Sequence, residues 1–386
     1  KRIKSLAIAK PRIRTLPQPY LAARAHIKYG LHINWFFDPD YYAERILMLN
    51  RSLEKGAAGN DTYGIGSKAN FLRTVELMRM SAVNGIAMLN IDISSTYLNR
   101  TLSGIRYADS AGLKAAIVPE ITIFSRGTGD EYLDRQINNQ GVKAIGSDAL
   151  MDKLFPVAIK SPSTFKYNGK TLISSYQACV LPPSFWDDYL KECRKRFGDK
   201  IMFLVELRSI FYKAMHRYHA KGGLSLRELD EMRVYFNAYL KSCDGIHFAG
   251  QNHIVKPPHT QKFYYEFYQN IIIPLLTNIM NEPQNKGKLL GLGISKGYMN
   301  HLAGSGQSEE GTKNLRFCLE NVLKANPDYL ILVEWNEIKE RTNLEPTIAD
   351  GRSSMRIMRY YFNKLKQQPN DPLPGDNPAI PNMILS

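Results

Sequence analysis

The sequence is poor in cysteine and lacks the short motifs by which proteins commonly hold metals and nucleotides. Its four cysteines are far apart: Cys179, Cys193, Cys243 and Cys318. Because no CxxC or His-paired spacing occurs, they indicate neither a zinc site nor a disulfide scaffold, and we predict buried thiols. No GxGxxG or Walker-type glycine motif follows an apolar run, which argues against nucleotide binding.

Long apolar runs and long runs of like charge are also absent. The strongest apolar stretch, "NIIIPLLTNIM" (270 to 280), is short and contains Pro274, so no transmembrane segment is predicted. Lys and Arg number 51 against 36 acids, a formal charge of +15 that attracts anions. The basic residues are scattered, as in "ECRKRFGDK" (192 to 200), so we predict a charged surface and no nucleic-acid partner.

Short apolar runs alternate with amphipathic segments of helical length, a pattern typical of parallel strands joined by crossover helices. Strands are predicted at 28 to 37, 85 to 92, 113 to 120, 170 to 177, 200 to 207, 244 to 250, 288 to 295 and 328 to 337. Helices are predicted at 69 to 83, 97 to 111, 184 to 196, 226 to 241, 262 to 280 and 311 to 325. Eight such alternations favour the α/β class and a single (β/α)8 TIM barrel, with an open doubly wound sheet as the alternative.

The two ends of the chain differ in composition from this alternating body. Residues 1 to 24 are basic and interrupted by prolines, which predicts an extended arm. Residues 25 to 366 then form the barrel domain, and residues 367 to 386 form a Pro-rich tail with polyproline character.

Polar residues follow most of the predicted strands, and in such a barrel the carboxyl ends of the strands form the site. Candidates to bind polar groups of a ligand are Asp92, Glu120, Glu206, Asn252, His253 and Lys296. Candidates to stack on a ligand ring are Trp35, Tyr176, Tyr298 and Trp335, whereas Trp186 is expected to pack in the core. Gln177 and Arg208 also follow strands.

Three histidines lie close together in "HFAGQNHIVKPPH" (247 to 259). The stretch has no helical i, i+4 pair and no nearby Cys, so we predict no metal and no other cofactor.

The last predicted strand runs into a group of acids in "ILVEWNEIKERTNLEPT" (331 to 347). Glu337 and Glu340 are three residues apart, which on a tight turn places both carboxyls on one side. Like charges held close raise one pKa, so that one group donates a proton while the other stays ionised, as glycoside hydrolysis requires. The alternative is a solvated face on which Lys339 and Arg341 pair with the glutamates.

The stretch "EWNEIKERTNLEPT" resembles the strand-eight motif of glycoside hydrolase family 99, the endo-acting α-mannosidases and α-mannanases on a (β/α)8 barrel. The matching residues of the W-N-E-x-x-E-x-T-x-x-E-P pattern are Trp335, Asn336, Glu337, Glu340, Thr342, Glu345 and Pro346. Weaker similarity covers most of residues 25 to 365, and "FLRTVELMRMSAVNGIAMLNID" (71 to 92) is similar to family 71, the α-1,3-glucanases.

The resemblance implies that Glu340 is the general acid and that Glu337 is the base assisting the sugar's own 2-hydroxyl, with net retention. Family members usually have Trp-His between the two acids and Gly after the second, where this chain has Ile338, Lys339 and Arg341. A cation beside Glu340 would lower its pKa and weaken it as an acid.

The predicted function is therefore hydrolysis within an α-linked glycan, mannan-like or glucan. One alternative is a carbohydrate-binding barrel without turnover, and another is a related enzyme of polysaccharide biosynthesis. The predicted partner is an oligosaccharide or polysaccharide, and the predicted location is extracytoplasmic, with a leader that is not part of this chain.

Overall fold

The computed structural model describes residues 1–8, 12–26, 68–90, 95–119, 151–249, 260–300, 305–307, 310–335, 342–346 and 351–377. Eight parallel strands form its centre. They are β1 Tyr20–His26, β2 Gly85–Asn90, β3 Lys114–Pro119, β4 Lys170–Ser174, β5 Ile201–Glu206, β6 Gly245–Phe248, β7 Leu289–Ile294 and β8 Tyr329–Leu332.

Each strand pairs in parallel with the next, β8 pairs with β1, and β3 meets β4 through Ile117 and Ile173. The sheet is thus a closed barrel, which confirms the predicted (β/α)8 fold and excludes the open sheet.

Helices lie between the strands along the chain. They are α1 Lys68–Met80, α2 Ser95–Ala111, α3 Phe155–Lys160, α4 Pro183–Phe197, α5 Arg208–Lys221, α6 Leu226–Ser242, α7 Gln261–Phe267, α8 Ile273–Met280, α9 Lys313–Ala325 and α10 Ser353–Leu365. A π-helical turn, Tyr268–Ile272, joins α7 to α8. The six predicted helices are confirmed, since each overlaps a helix of the structure.

The first barrel strand is not where the sequence predicted it. Residues 28 to 37 lie outside the described part of the chain, and β1 is Tyr20–His26. Its residues Ala22 and Ala23 pair with Ile331 and Leu332 of β8. The sheet therefore includes residues 20 to 24, which the sequence analysis assigned to the basic arm.

Alternation along each strand separates the barrel interior from the helix layer. In β5, Ile201, Phe203 and Val205 belong to the core shared with the helices. Met202 and Leu204 belong to a second core inside the barrel. Because successive side chains of a strand point to opposite faces, the next residue, Glu206, faces the interior at the carboxyl end.

The amino end of the barrel is closed by the segment before β1. Asp328, at the start of β8, accepts hydrogen bonds from the backbone N–H groups of Thr15 (2.6 Å) and Leu16 (2.9 Å). Its other oxygen accepts from Arg12 Nη2 at 2.5 Å and from Leu290 N at 2.9 Å. Arg12 and Asp328 are both buried, so this ion pair fixes the segment against the barrel floor.

Both ends of the chain contact the barrel body. Arg2–Ile3 pairs antiparallel with Leu224–Ser225, just before α6. In the tail, Asp376 accepts from the backbone and the hydroxyl of Thr312, which lies before α9. These hydrogen bonds lower the pKa of the Asp376 carboxyl.

All four cysteines are buried and free, as predicted. Across the described ranges, no helix combines the length and the apolar character needed to cross a bilayer.

We expect Gly291→Ala to destabilise the protein, because a Cβ at this position of β7 would lie 2.4 Å from His247 Cβ inside the barrel. Overpacking of this kind costs about 1–3 kcal/mol, measurable as a shift of the urea unfolding curve. Gly375→Ala is the matched control, since its Cβ would meet no atom within 4 Å. Equal stability of the two variants would contradict the packing argument.

Candidate functional site

The structure describes five of the predicted site residues, and all five lie in or after the carboxyl ends of strands: Tyr176, Glu206, Lys296, Tyr298 and Trp335. The other predicted site residues lie outside the described part of the chain: Trp35, Asp92, Glu120, Asn252, His253, Asn336, Glu337 and Glu340. Their roles stay predictions.

A buried ion pair joins β1 to the end of β8 at this mouth. Arg24 Nη2 donates to Glu334 Oε1 at 2.6 Å. The Arg24 side chain has no exposed surface and that of Glu334 is 6% exposed. The backbone is tied at the same point, since Trp335 N donates to Arg24 O at 2.6 Å. Because both charges are out of water, each one depends on the other.

The described residues on either side of 336 to 341 are hydrogen-bonded to each other. Glu334 N donates to Thr342 O at 3.1 Å, and Leu344 N donates to Glu334 O at 2.9 Å. Glu345 N donates to Trp335 O at 3.0 Å. Residues 342 to 345 therefore lie directly beside residues 334 and 335, at the carboxyl edge of the barrel.

The ring of Tyr176, after β4, is in contact with the guanidinium groups of two arginines. Arg24 Cζ lies 4.2 Å from the centre of its ring and Arg208 Cζ lies 4.4 Å from it. Arg208 Nη1 also donates to the Tyr176 hydroxyl. A cation over an aromatic face is attracted by the ring, most strongly where water is excluded, so these contacts hold the two cations in place.

Glu206 connects the loops that follow three strands. Its Oε2 accepts from Gln177 N at 3.0 Å, and its Oε1 accepts from Arg208 N at 2.8 Å and Ala249 N at 3.4 Å. Burial raises the pKa of this carboxyl, while the charge of Arg208 and the three N–H groups oppose the rise. The contact of Glu206 with a sugar stays a prediction. Its hydrogen bonds to three backbone N–H groups hold the segments after β4, β5 and β6 together at the barrel mouth.

His247, in β6, is a buried neutral imidazole. Its Nε2 lies 2.7 Å from Ser175 O, which assigns the proton to Nε2 as a donor. Burial lowers its pKa to about 3, and the charge of Arg24 lowers it further, whereas the bond to Ser175 opposes the shift. Among the residues whose positions are given, no group of three His, Cys, Asp or Glu is placed to hold a metal ion.

The remaining predicted residues are buried. Lys296 is 3% exposed, and Asn314 Nδ2 of α9 donates to its carbonyl at 2.9 Å. Tyr298 and Trp335 have no exposed surface, so stacking on a sugar would require each ring to become exposed. Trp186 packs against Phe203 with ring centres 4.7 Å apart, which confirms its predicted place in the core.

Arg24 is the residue that sequence reasoning missed. It stood in the stretch "YLAARAH" (20 to 26), which was assigned to the arm. One signal in the sequence could have identified it: Arg24 is a single charge within a short run of small apolar residues. A lone charge in a buried strand requires a partner, so it indicates a buried ion pair.

The fold is similar to that of solved glycoside hydrolase structures. A GH99 endo-alpha-mannosidase from Bacteroides thetaiotaomicron, in complex with BIS-TRIS-propane, superposes with a TM-score of 0.59 at 12% identity, covering 90% of this chain and 97% of that one. A second structure of a GH99 endo-alpha-mannosidase from the same organism gives a TM-score of 0.52 at 11% identity, covering 90% and 98%. No protein-family profile matches the chain, and no curated protein does. The likeness shows a shared barrel fold.

We expect Arg24→Met to lower the free energy of unfolding by about 3–5 kcal/mol, because it leaves the Glu334 carboxylate buried without its cation. Urea unfolding at neutral pH measures the loss. Arg227→Met removes an exposed arginine that pairs with Glu231 on α6, and should cost at most about 1 kcal/mol. Similar losses in the two variants would contradict the importance of the buried pair.

We expect His247 to make stability depend on pH. The pKa of His247 is about 3 in the folded protein, whereas an unperturbed histidine, as in the unfolded chain, has a pKa of 6.5. Between these two values the unfolded chain binds a proton on His247 that the folded protein does not bind. Its contribution is constant above pH 6.5 and falls by about 1.4 kcal/mol for each pH unit between 6.5 and about 3.

Urea unfolding curves at pH 7.5 and 5.5 test this dependence. His247→Gln should flatten the change of stability between the two pH values, whereas His219→Gln, at an exposed position of α5, should retain it. An unchanged pH dependence in His247→Gln would show that other groups cause it.

Proposed function

We propose that this protein is a glycoside hydrolase that cleaves within an α-linked glycan, mannan-like or glucan, outside the cytoplasm. The observation that carries the proposal is the loop after β8, whose two ends are hydrogen-bonded to each other at the barrel mouth. Glu337 follows Trp335 by two residues, and Glu340 precedes Thr342 by two. Because two residues span at most about 7 Å of chain, we expect both acids close to this edge.

The position of the loop suits acid and base chemistry. In a (β/α)8 barrel the residues at the carboxyl ends of strands meet around one cavity, so side chains on different loops can contact one substrate. The described ends of this loop rest on a buried ion pair and on backbone hydrogen bonds, which restrict their movement. Such fixed supports are what catalytic groups need to keep a productive geometry.

In the proposed reaction Glu340 donates its proton to the oxygen of the leaving sugar. Glu337 accepts the proton of the 2-hydroxyl, whose oxygen attacks the anomeric carbon as the glycosidic bond breaks. The Glu340 carboxylate then takes a proton from water, which attacks the anomeric carbon and opens the three-membered 1,2-anhydro ring. Glu337 returns its proton to the 2-oxygen, and the second inversion gives net retention. The two solved structures that share the fold are named endo-alpha-mannosidases, which supports the proposal of a glycosidase, while the roles of Glu340 and Glu337 are carried over from the motif.

The second candidate function is carbohydrate binding without turnover. It is favoured by Lys339 and Arg341 on either side of Glu340, because nearby cations lower the pKa of a carboxyl and make it a weaker proton donor.

We expect Glu340→Gln to lower kcat for release of reducing sugar from α-mannans or α-glucans by about 10²–10⁴-fold, because an amide cannot protonate the leaving oxygen. Glu231→Gln, at an exposed position on α6, is the matched control and should leave kcat unchanged. Calorimetry with an oligosaccharide of the same linkage measures whether Glu340→Gln still binds substrate.

Different outcomes separate the two candidates. Turnover by the unmodified protein that is lost only in Glu340→Gln supports the hydrolase. Binding with no turnover by the unmodified protein supports the binding barrel, and incorporation of sugar into a longer chain without release of reducing ends supports a biosynthetic enzyme.

A further inference from the structure

Arg208 is a buried cation at the barrel mouth, and among the described residues no carboxylate is hydrogen-bonded to its guanidinium. It is 7% exposed and is the first residue of α5, two residues after the end of β5. Glu206, at the end of β5, accepts a hydrogen bond from the Arg208 backbone N–H at 2.8 Å and not from its guanidinium. Within the described residues, no ion pair involves Arg208. A guanidinium stays charged when buried, so an anion near it would be strongly favoured.

The contacts of Arg208 leave one edge of the guanidinium for a ligand. Nη1 donates to the Tyr176 hydroxyl, and the ring of Tyr176 lies under Cζ at 4.4 Å. Nε and Nη2 donate to no described group, and neither belongs to the set of fully buried polar atoms that lack a partner. These two nitrogens form the parallel pair of donors that matches the two oxygens of a carboxylate.

A second cation lies close by. Arg24 lies over the same Tyr176 ring at 4.2 Å. Burial and the charge of Arg24 lower the pKa of Arg208, but Tyr176 and Glu206 outweigh them, so the pKa is raised and the guanidinium stays charged. Arg24 has Glu334 as its partner. Burial raises the pKa of Glu206, which weakens its hold on a charge that could neutralise Arg208. With a net charge of +15, the whole chain also attracts acidic ligands.

We propose that Arg208, held by Tyr176, forms a subsite for a carboxylate on the glycan, so that the substrate is an acidic polysaccharide containing a uronic acid or a comparable acidic sugar. The proposal rests on the proposed function in that the ligand is a glycan. A sulfate or phosphate ester offers similar oxygens in a tetrahedral arrangement, and the planar carboxylate fits the Nε and Nη2 edge best.

The test measures binding and turnover separately. Calorimetry compares a neutral α-linked oligosaccharide with one of equal length that contains a hexuronate, and with a sulfated and a phosphorylated one. The variants are Arg208→Gln, Arg208→Lys and Tyr176→Phe, and the control is Arg227→Gln, which removes the same charge from an exposed position. Thermal unfolding of each variant establishes that it is folded.

We expect the unmodified protein to bind the hexuronate ligand more tightly than the neutral one. Arg208→Gln should reduce the ratio of acidic to neutral affinity by about 10- to 100-fold, the effect of losing charge-assisted hydrogen bonds. Arg208→Lys should recover only part of it, because a lysine lacks the paired donors. Tyr176→Phe should reduce it less, and Arg227→Gln should not change it.

Two results would overturn the subsite. One is an unmodified protein that does not prefer the acidic ligand, and the other is equal loss of both affinities in the folded Arg208 variants, which would make Arg208 structural. A preference for the sulfated or phosphorylated ligand over the hexuronate would overturn the assignment to carboxylate. Reducing-sugar release tests the hydrolase independently of the subsite. If the protein binds the acidic ligand but releases no reducing sugar, hydrolysis is rejected and the subsite stands. If the protein cleaves a neutral glycan and shows no preference for the acidic ligand, the subsite is rejected and hydrolysis stands.

Discussion

Closure of the barrel between its first and last strands depends on a buried ion pair at each end of that seam. Arg12 and Asp328 meet at the amino end, and Arg24 and Glu334 meet at the carboxyl end. A shift of β1 by one residue would reverse which side chains face the interior and would separate Arg24 from Glu334. Because an unpartnered buried charge is costly, this pair favours a single register for the strands that close the barrel, and the Arg12 pair holds the segment that leads into β1.

The same seam supports the candidate chemistry. The acidic motif lies between Glu334 and Thr342, and Glu334 is hydrogen-bonded to both Thr342 and Leu344, so the described residues that flank the motif are held beside β8 and β1. Barrel closure and the position of this loop therefore depend on the same contacts. A change at Arg24 would act on stability and on the site together, although Arg24 is 310 residues away from Glu334 in sequence.

The number of strands could be predicted because short apolar runs that alternate with amphipathic segments are local features of the sequence. The strand β1 could not, since "YLAARAH" is rich in alanine and has low strand propensity, whereas residues 28 to 37 are rich in β-favouring residues. Small residues fit β1 because Tyr20 stacks on Phe165 and Tyr329 inside the barrel. The backbone contacts of Glu206 join three separate loops, and such long-range placement is not visible in a single sequence.

Two buried titratable groups near the mouth, Glu206 and His247, are hydrogen-bonded to the protein's own backbone. Glu206 takes backbone N–H groups from three loops, and His247 donates to Ser175 O while staying neutral. These groups are already desolvated, so a ligand does not need to remove water from them. Arg208 differs, since its charge is held in place by Tyr176 while two donors remain open. Under the proposed subsite, selectivity at the described part of this mouth would therefore arise from Arg208, whose charge an acidic ligand would balance.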